Sequence, residues 1–359
     1  QLFSSNEAFA AYKANAWTDY EDLLERDITW STRHTVTLAG GTDKTSARFS
    51  AGYASNGNKW KKGPGSDRFN LRANIDHDMY DWVSAGVNFQ LTHNRAGNSP
   101  YAKAGTTGVE LGSPYGVYDP ETESYSIGSK LVERPLAADE YVNPLIDAEG
   151  NNLYQTQNYS TNVVANGYLD IHPIEGFSFR SQLNTHIQNS TVGQYLDGNQ
   201  SVNLESTGKK NKADFTKSSS LYLEWNNIVN YKFTMLPKEH NLSLTALTTW
   251  SRGQSDYLSA SSVGQTLASN LWWNLGSNDG EDGSLSHSSN YEQYQSFSYA
   301  GRVSYDYKSK YLFTASLRRD GASRLAEGNK WEWFPSAALA WRITDEAWMT
   351  NVKGSWLDD

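Results

Sequence analysis

The sequence predicts an all-β protein, part of a large antiparallel transmembrane β-barrel, and three observations predict it. Long segments alternate apolar and polar residues with period two, the mark of a sheet whose two faces meet different surroundings. Short and long connections alternate between those segments, as in barrels with tight turns at one end and long loops at the other. No run approaches the ~20 consecutive apolar residues of a spanning helix, so a membrane crossing here must be made by strands.

Composition agrees. Of 359 residues only 38% are hydrophobic, yet 13% are aromatic, with 13 Trp and 22 Tyr. A chain poor in aliphatics and rich in Trp and Tyr suits a wall whose aromatics sit at a polar–apolar boundary. The net charge of −9 excludes a phosphate-binding role with nucleic acid. The absence of cysteine excludes disulfides, thiolate metal sites and cysteine nucleophiles together. No targeting segment is visible at Gln1, which predicts that one lies upstream.

Residues 1–32 differ from the rest. A Ser–Asn start followed by Glu7, with Phe9, Tyr12 and Ala16 at helical spacing, predicts a helical outer-loop segment leading into the barrel. The barrel then occupies 33–359. Val36 and Leu38 run into the turn Gly40–Asp43, and Ala47, Phe49, Ala51 and Tyr53 return. Phe69, Leu71, Ala73 and Ile75 alternate with Asn70, Arg72, Asn74 and Asp76; after a turn near Asp81, Val83, Ala85, Val87, Phe89 and Leu91 form the cleanest strand.

A loop is expected over 94–157, where periodicity disappears. Strands resume around Val163–Ile171, turn at Pro173–Gly176 and return through Phe177–Ile187. A second loop is expected over 189–217, then strands Leu221–Phe233 and Leu242–Trp250, and a third loop over 251–290. The last strands centre on Val303–Tyr307, Tyr311–Leu317 and Leu339–Ile343, with an aromatic-rich loop before the final one. The total is about eleven strands, an odd number that cannot close an antiparallel barrel and so predicts a partial wall. A soluble β-sandwich or β-helix would also alternate. The regular charges on the polar faces (Arg72, Asp76, Arg180, Glu224, Arg302, Asp306, Arg318) suit a wet or plugged lumen instead.

Three blocks carry a family resemblance: TVTLAGGTDKTSARFSAGYASNGN, ANIDHDMYDWVSAGVNFQLTHN and YAGRVSYDYKSKYLFTASLRRDGASRLAEGNKWEWFPSAALAWRITDEAWM. They closely resemble the SusC/RagA family of TonB-linked outer-membrane transporters from Bacteroidetes. The resemblance implies a barrel of about 22 strands filled by a plug. It implies that the sequence runs from an early outer loop to about the middle of the barrel. The TonB box, plug and closing strand then fall outside it, and Thr344–Met349 is a turn at the periplasmic end. It also implies import of a glycan or peptide, a SusD-like surface lipoprotein as partner, TonB as energy source, and multi-pass residence in the lipid of the bacterial outer membrane. The alternatives are a passive porin and a surface binding module.

No catalytic constellation emerges. The seven histidines (34, 77, 93, 172, 186, 240, 287) are scattered, and no hydrolase, metalloprotease, P-loop or dinucleotide pattern occurs, so no enzyme and no cofactor are expected. Asp279, Glu281 and Asp282, spaced by glycines, form a candidate calcium turn, though without the spacing of an EF-hand loop. Trp272, Trp273 and Asn274 in the third loop, with Tyr115 and Tyr118 in the first, are the candidate substrate-binding residues. Their rings could stack on sugars or peptide side chains; the competing reading is that they pack loop on loop. Trp331, Trp333, Phe334 and Trp341 are the candidate aromatic girdle, where a strand re-enters the apolar band. Arg318, Arg319 and Asp320 are expected to brace the lumen wall.

Overall fold

A computed structural model describes residues 13, 22, 24–61, 63–97, 118–119, 124–125, 154–198, 210–281 and 284–349. Most of the 1–32 segment, Tyr115 and Asp282 lie outside the described residues.

Eleven strands form one sheet in which every neighbour is antiparallel and next in order. They are β1 (Ser31–Thr42), β2 (Thr45–Asn56), β3 (Ser66–Tyr80), β4 (Val83–Ala96), β7 (Tyr154–Ile171), β8 (Phe177–Leu196), β9 (Lys212–Lys232), β10 (His240–Val263), β11 (Leu285–Tyr307), β12 (Tyr311–Ala322) and β13 (Trp331–Trp341). Between β4 and β7, β5 (Tyr118–Asp119) and β6 (Ser124–Tyr125) pair as a separate small hairpin. Short connections (43–44, 81–82, 172–176, 233–239, 308–310) all fall at one end of the sheet and longer ones (57–65, 97–153, 197–211, 264–284, 323–330) at the other. In the tight β11–β12 connection Lys308 and Ser309 take positive φ of 53° and 55°, and the Asp306 carboxylate steadies the turn by accepting from the Ser309 N–H at 2.7 Å.

The expected strands are present, but three boundaries move. The 189–217 loop shrinks to 197–211 and the 251–290 loop to 264–284, because β8, β9, β10 and β11 continue outward as paired strands. The last strand starts at Trp331, so the aromatics assigned to a loop lie in β13. The reason is chemical. Once these strands rise past the apolar zone both faces turn polar, the period-two signal vanishes, and backbone pairing alone holds the ladder. Thr344–Met349, expected as a turn, is covered by two 3-10 turns, Ile343–Asp345 and Ala347–Met349.

The sheet carries no core on its apolar face. Leu38, Val36 and Leu339 are 69%, 64% and 82% exposed, and the face runs unbroken from β1 to β13. Paired rows show its limits. Leu183, Trp225, Trp250, Phe297, Gly321 and Trp331 lie in register across β8 to β13; the Trp331 ring covers Gly321. Toward the short turns, His240, Tyr307, Tyr311 and Trp341 form a second row. The rows are about ten residues apart, about 33 Å along an extended strand, which a tilt of about 40° reduces to about 25 Å. That is the height of the apolar band of a transmembrane barrel. Beyond the outer row the same face becomes polar at Arg252, Gln254, Asp256, Gln293 and Gln295.

Trp331, Trp333 and Trp341 lie on this belt. Phe334 does not: it pairs with Arg318 on the opposite face, one residue out of phase with its tryptophan neighbours. Arg319 corrects the expectation of a lumen brace. It lies on the belt face, 5.1 Å from the ring centres of both Trp331 and Trp333, and donates to the Tyr299 hydroxyl at 3.1 Å. A cation held by two indoles at the belt rim keeps its charge at the boundary while its stem stays in the apolar zone.

Candidate functional site

The polar face is where the sheet does chemistry with water. Its central row runs Arg48, Asn74, Asn88, Asn166, Asn184, Glu224, Ser251, Ser296 across β2, β3, β4, β7, β8, β9, β10 and β11. Asparagine suits such a ladder because each amide both donates and accepts. Asn88 Nδ2 donates to Asn166 Oδ1 at 3.3 Å, Asn166 donates to Asn184, and Asn184 Nδ2 donates to Glu224 Oε1 at 3.2 Å. Glu224 also accepts from Asn226 at 2.7 Å and from the Tyr222 hydroxyl at 2.8 Å. Toward the short turns, Arg180 clamps Asp170 with two hydrogen bonds and lies 4.8 Å from the Tyr168 ring centre, while the Tyr168 hydroxyl donates to Asp76. From Asn88 to Glu224, and at the Asp170–Arg180–Tyr168–Asp76 group, the polar side chains of this face are hydrogen-bonded to one another.

Two open regions flank it at the long-loop end. On β8 to β11, above the belt, Gln188, Ser218, Ser220, Ser255, Tyr257 and Asn290 line a pocket of about 220 Å³. Tyr257 is its aromatic member, with its hydroxyl 2.8 Å from Ser288 Oγ. On β1 to β3 a wider groove of about 610 Å³ is lined by Arg33, Arg48, Arg68, Arg72, Asn56 and Asn70. Neither region was singled out by sequence. The signal existed in the parity of Tyr257 with Ser255, and of Arg68 with Arg72, but only register across neighbouring strands collects it.

The loop aromatics behave otherwise. Trp272 is 5% exposed and packs with Tyr195 and Ala213, backed by Phe215, Leu271 and Leu275. Gly193 makes the seat: a Cβ there would come within 2.1 Å of the indole. Gly193, Tyr195, Ala213 and Phe215 share the parity of the belt, so the 264–284 loop folds back over the outward face of β8 and β9. Trp272 is therefore an anchor of the loop and offers no ring to a ligand. Trp273 beside it is 64% exposed, its ring centre 6.0 Å from that of Phe215, and Asn274 is exposed. Tyr118 lies in the small β5–β6 hairpin, separate from the main sheet.

Two of the three calcium candidates are placed. The Lys210 ammonium bonds Asp279 at 2.9 Å and also Glu281, so a cation already occupies the space between the carboxylates. Hydrogen bonds from Lys210 and then from the Glu281 backbone hold Asp279 below the usual carboxylate range, and hydrogen bonds to Glu281 and Asp279 raise Lys210. Among the described residues no three His, Cys, Asp or Glu side chains come together as a metal site.

No family model matches the chain. Curated relatives do. It is 26% identical over 320 residues to TonB-dependent receptor P26 of Formosa agariphila, covering 89% of this chain and 30% of that protein. It is 24% identical over 393 aligned positions to TonB-dependent receptor SusC of Bacteroides thetaiotaomicron, covering 97% of this chain and 36% of the relative. The chain thus spans about a third of the length of the curated relatives it matches. Among solved structures, the RagAB peptide importer in its closed-closed state superposes with TM-score 0.72 at 20% identity, over 96% of this chain and 37% of that one. The open-open state gives 0.70 over 90% and 35%. The fold is accordingly that of a section of a TonB-dependent barrel wall.

Proposed function

We propose that this chain, similar along most of its length to the TonB-dependent receptors SusC and P26, is the wall section of an outer-membrane importer that works with TonB and a SusD-like surface lipoprotein. The belt carries the reading: two aromatic rows about 25 Å apart in height bound an uncovered apolar face, and the opposite face is predominantly polar. Substrate would enter at the long-loop end, meet the open polar regions on β8–β11 and β1–β3, and descend past the asparagine ladder. From Asn88 to Glu224 the ladder's groups are already paired, so that stretch would serve as a smooth polar wall and not as a trap. Among the described residues no nucleophile and base stand together with a reacting site, which favours transport over bond-breaking chemistry.

A surface binding module would have to leave the whole apolar face in water, far beyond the few hundred Å² that soluble proteins tolerate. The relatives favour an energised importer over a passive porin. The test is uptake in cells carrying the full-length protein with and without TonB, on a panel of glycans and peptides. Loss of uptake on TonB deletion supports the proposal; undiminished uptake makes the protein a passive channel.

A further inference from the structure

The charges of the polar face are distributed unevenly. On its central and far strands two of the three polar-face arginines are matched, Arg180 with Asp170 and Arg318 with Asp320 at 2.6 Å, and among the described residues Arg302 alone there forms no ion pair. On β1 to β3 none is matched. Arg33, Arg48, Arg68 and Arg72 all lie on the polar face, all are exposed, and among the described residues none forms an ion pair. Of the two β3 carboxylates on this face, both at the short-turn end below the arginines, Asp76 is engaged by Tyr168 and Ser46 and Asp78 lies one row further down opposite Ser84. Arg68 keeps only a neutral partner, donating to Asn94 Oδ1 at 2.8 Å.

Register arranges the four along a line. Arg33 and Arg68 flank Ala54 in one row near the outer strand ends, Arg72 lies two rows further in opposite Ser50, and Arg48 one row beyond, opposite Ala39 and Asn74. The line descends through about 20 Å of strand. Ala54 and Gly52 between the arginines leave room, and Thr35, Thr37, Ser50, Asn56 and Asn70 supply hydroxyl and amide groups. In the 57–65 connection above the mouth, Lys59 is taken up by Glu25 at 2.7 Å and Lys61 donates to the Asp22 carbonyl, so the groove's unpaired charge comes from the four arginines.

We infer that this groove binds an acidic oligosaccharide, one bearing carboxylate or sulfate groups along its length. Guanidinium groups offer paired, coplanar donors that match both anions, and a file of them at the entrance steers an anionic chain inward. Hydroxyl and amide side chains between the charges pair with sugar hydroxyls. A peptide would require apolar subsites for its side chains, and of the groove's lining only Ala54 and Tyr53 carry apolar surface, Tyr53 belonging by register to the opposite face. The inference rests on the importer reading and specifies its substrate class.

The experiment uses the complete receptor, purified in detergent, against an array of uronate and sulfated oligosaccharides, neutral oligosaccharides of equal length, and acidic peptides. Retention of the acidic sugars is expected, weakening at least about tenfold both on raising salt from about 50 to about 500 mM and in Arg33→Gln, Arg68→Gln and Arg72→Gln. Arg302→Gln, a polar-face arginine outside the groove, is expected to bind as the unaltered receptor does, and its assembly and that of the variants is checked by barrel electrophoresis. Preference for neutral sugars or peptides, no retention at all, or acidic-sugar binding indifferent to the three substitutions overturns the inference. So does a variant whose binding persists while its plug becomes protease-sensitive, which assigns the arginines to the plug. TonB-dependence of uptake tests the importer reading separately.

Discussion

The belt and the outer extension of β8–β11 are the same ladder, strand for strand, and stabilise themselves in opposite ways. Within the belt, apolar side chains stay uncovered and charges are held at the rim, as Arg319 is between Trp331 and Trp333. Above it, the outward face turns polar, and a cluster of buried aromatic and small residues gathers where Trp272 closes over Gly193, Tyr195 and Ala213. On the importer reading the difference follows: a face solvated by lipid needs no core, whereas one in water must be covered by the chain itself, as the 264–284 loop covers β8 and β9.

The largest expected effect separates the two faces of the belt. Ala315 and Ser316 are adjacent at mid-height of β12, one on each face. Ala315→Arg should destabilise the lipid-embedded receptor by about 2–4 kcal/mol and Ser316→Arg by about 1 kcal/mol or less, measured by reversible denaturant unfolding in vesicles. Equal effects would break the comparison. Next, Trp272→Ala should loosen the extension by about 3 kcal/mol, read from hydrogen exchange of the Tyr195 and Ala213 amides, while belt amides are unchanged. Gly193→Ala should reproduce it by displacing the indole. If either change lowers the protection of β12, tip and belt are one cooperative unit.

A smaller loss, about 1 kcal/mol, is expected for Trp331→Ala, which removes ring contacts with Phe297 and Tyr299 and one of the two indoles beside Arg319. The smallest effect is electrostatic. Asp279, depressed by Lys210, contributes at neutral pH and loses that contribution as pH falls below its ordinary 3.8 through the depressed value. Lys210, raised, retains its charge until the solution is strongly alkaline. The loop contact should therefore hold from mildly acidic to moderately alkaline pH and release both in strong acid, as Asp279 is protonated, and in strong alkali, as Lys210 loses its proton, with Lys210→Met abolishing both steps in a pH titration of loop-amide exchange.

Much of the fold was legible because lipid writes period two into a strand: Phe69–Ile75 and Val83–Leu91 could be read directly as one-sided strands. The extensions were not, since the outward faces of Asn189–Leu196 and Ser251–Val263 are partly polar and partly covered by the 264–284 loop, and no regular alternation survives. For the site, Trp331, Trp333 and Trp341 were legible by position, but the phase of Phe334 and Arg319 required the register with their neighbours. Trp272 and Trp273 drew attention as loop aromatics, yet only Trp273 is exposed, because Gly193, remote in sequence, provides the seat for Trp272. The arginine groove assembles from three strands, so no local pattern announces it.

The central claim is that one face of this sheet meets lipid and the other water. Spin labels placed singly from Phe313 to Arg318 in the complete receptor, reconstituted in vesicles, test it most directly. Collision with oxygen should peak at positions 313, 315 and 317, and collision with a water-soluble nickel chelate at 314, 316 and 318. Equal access of the chelate to both sets would contradict the account.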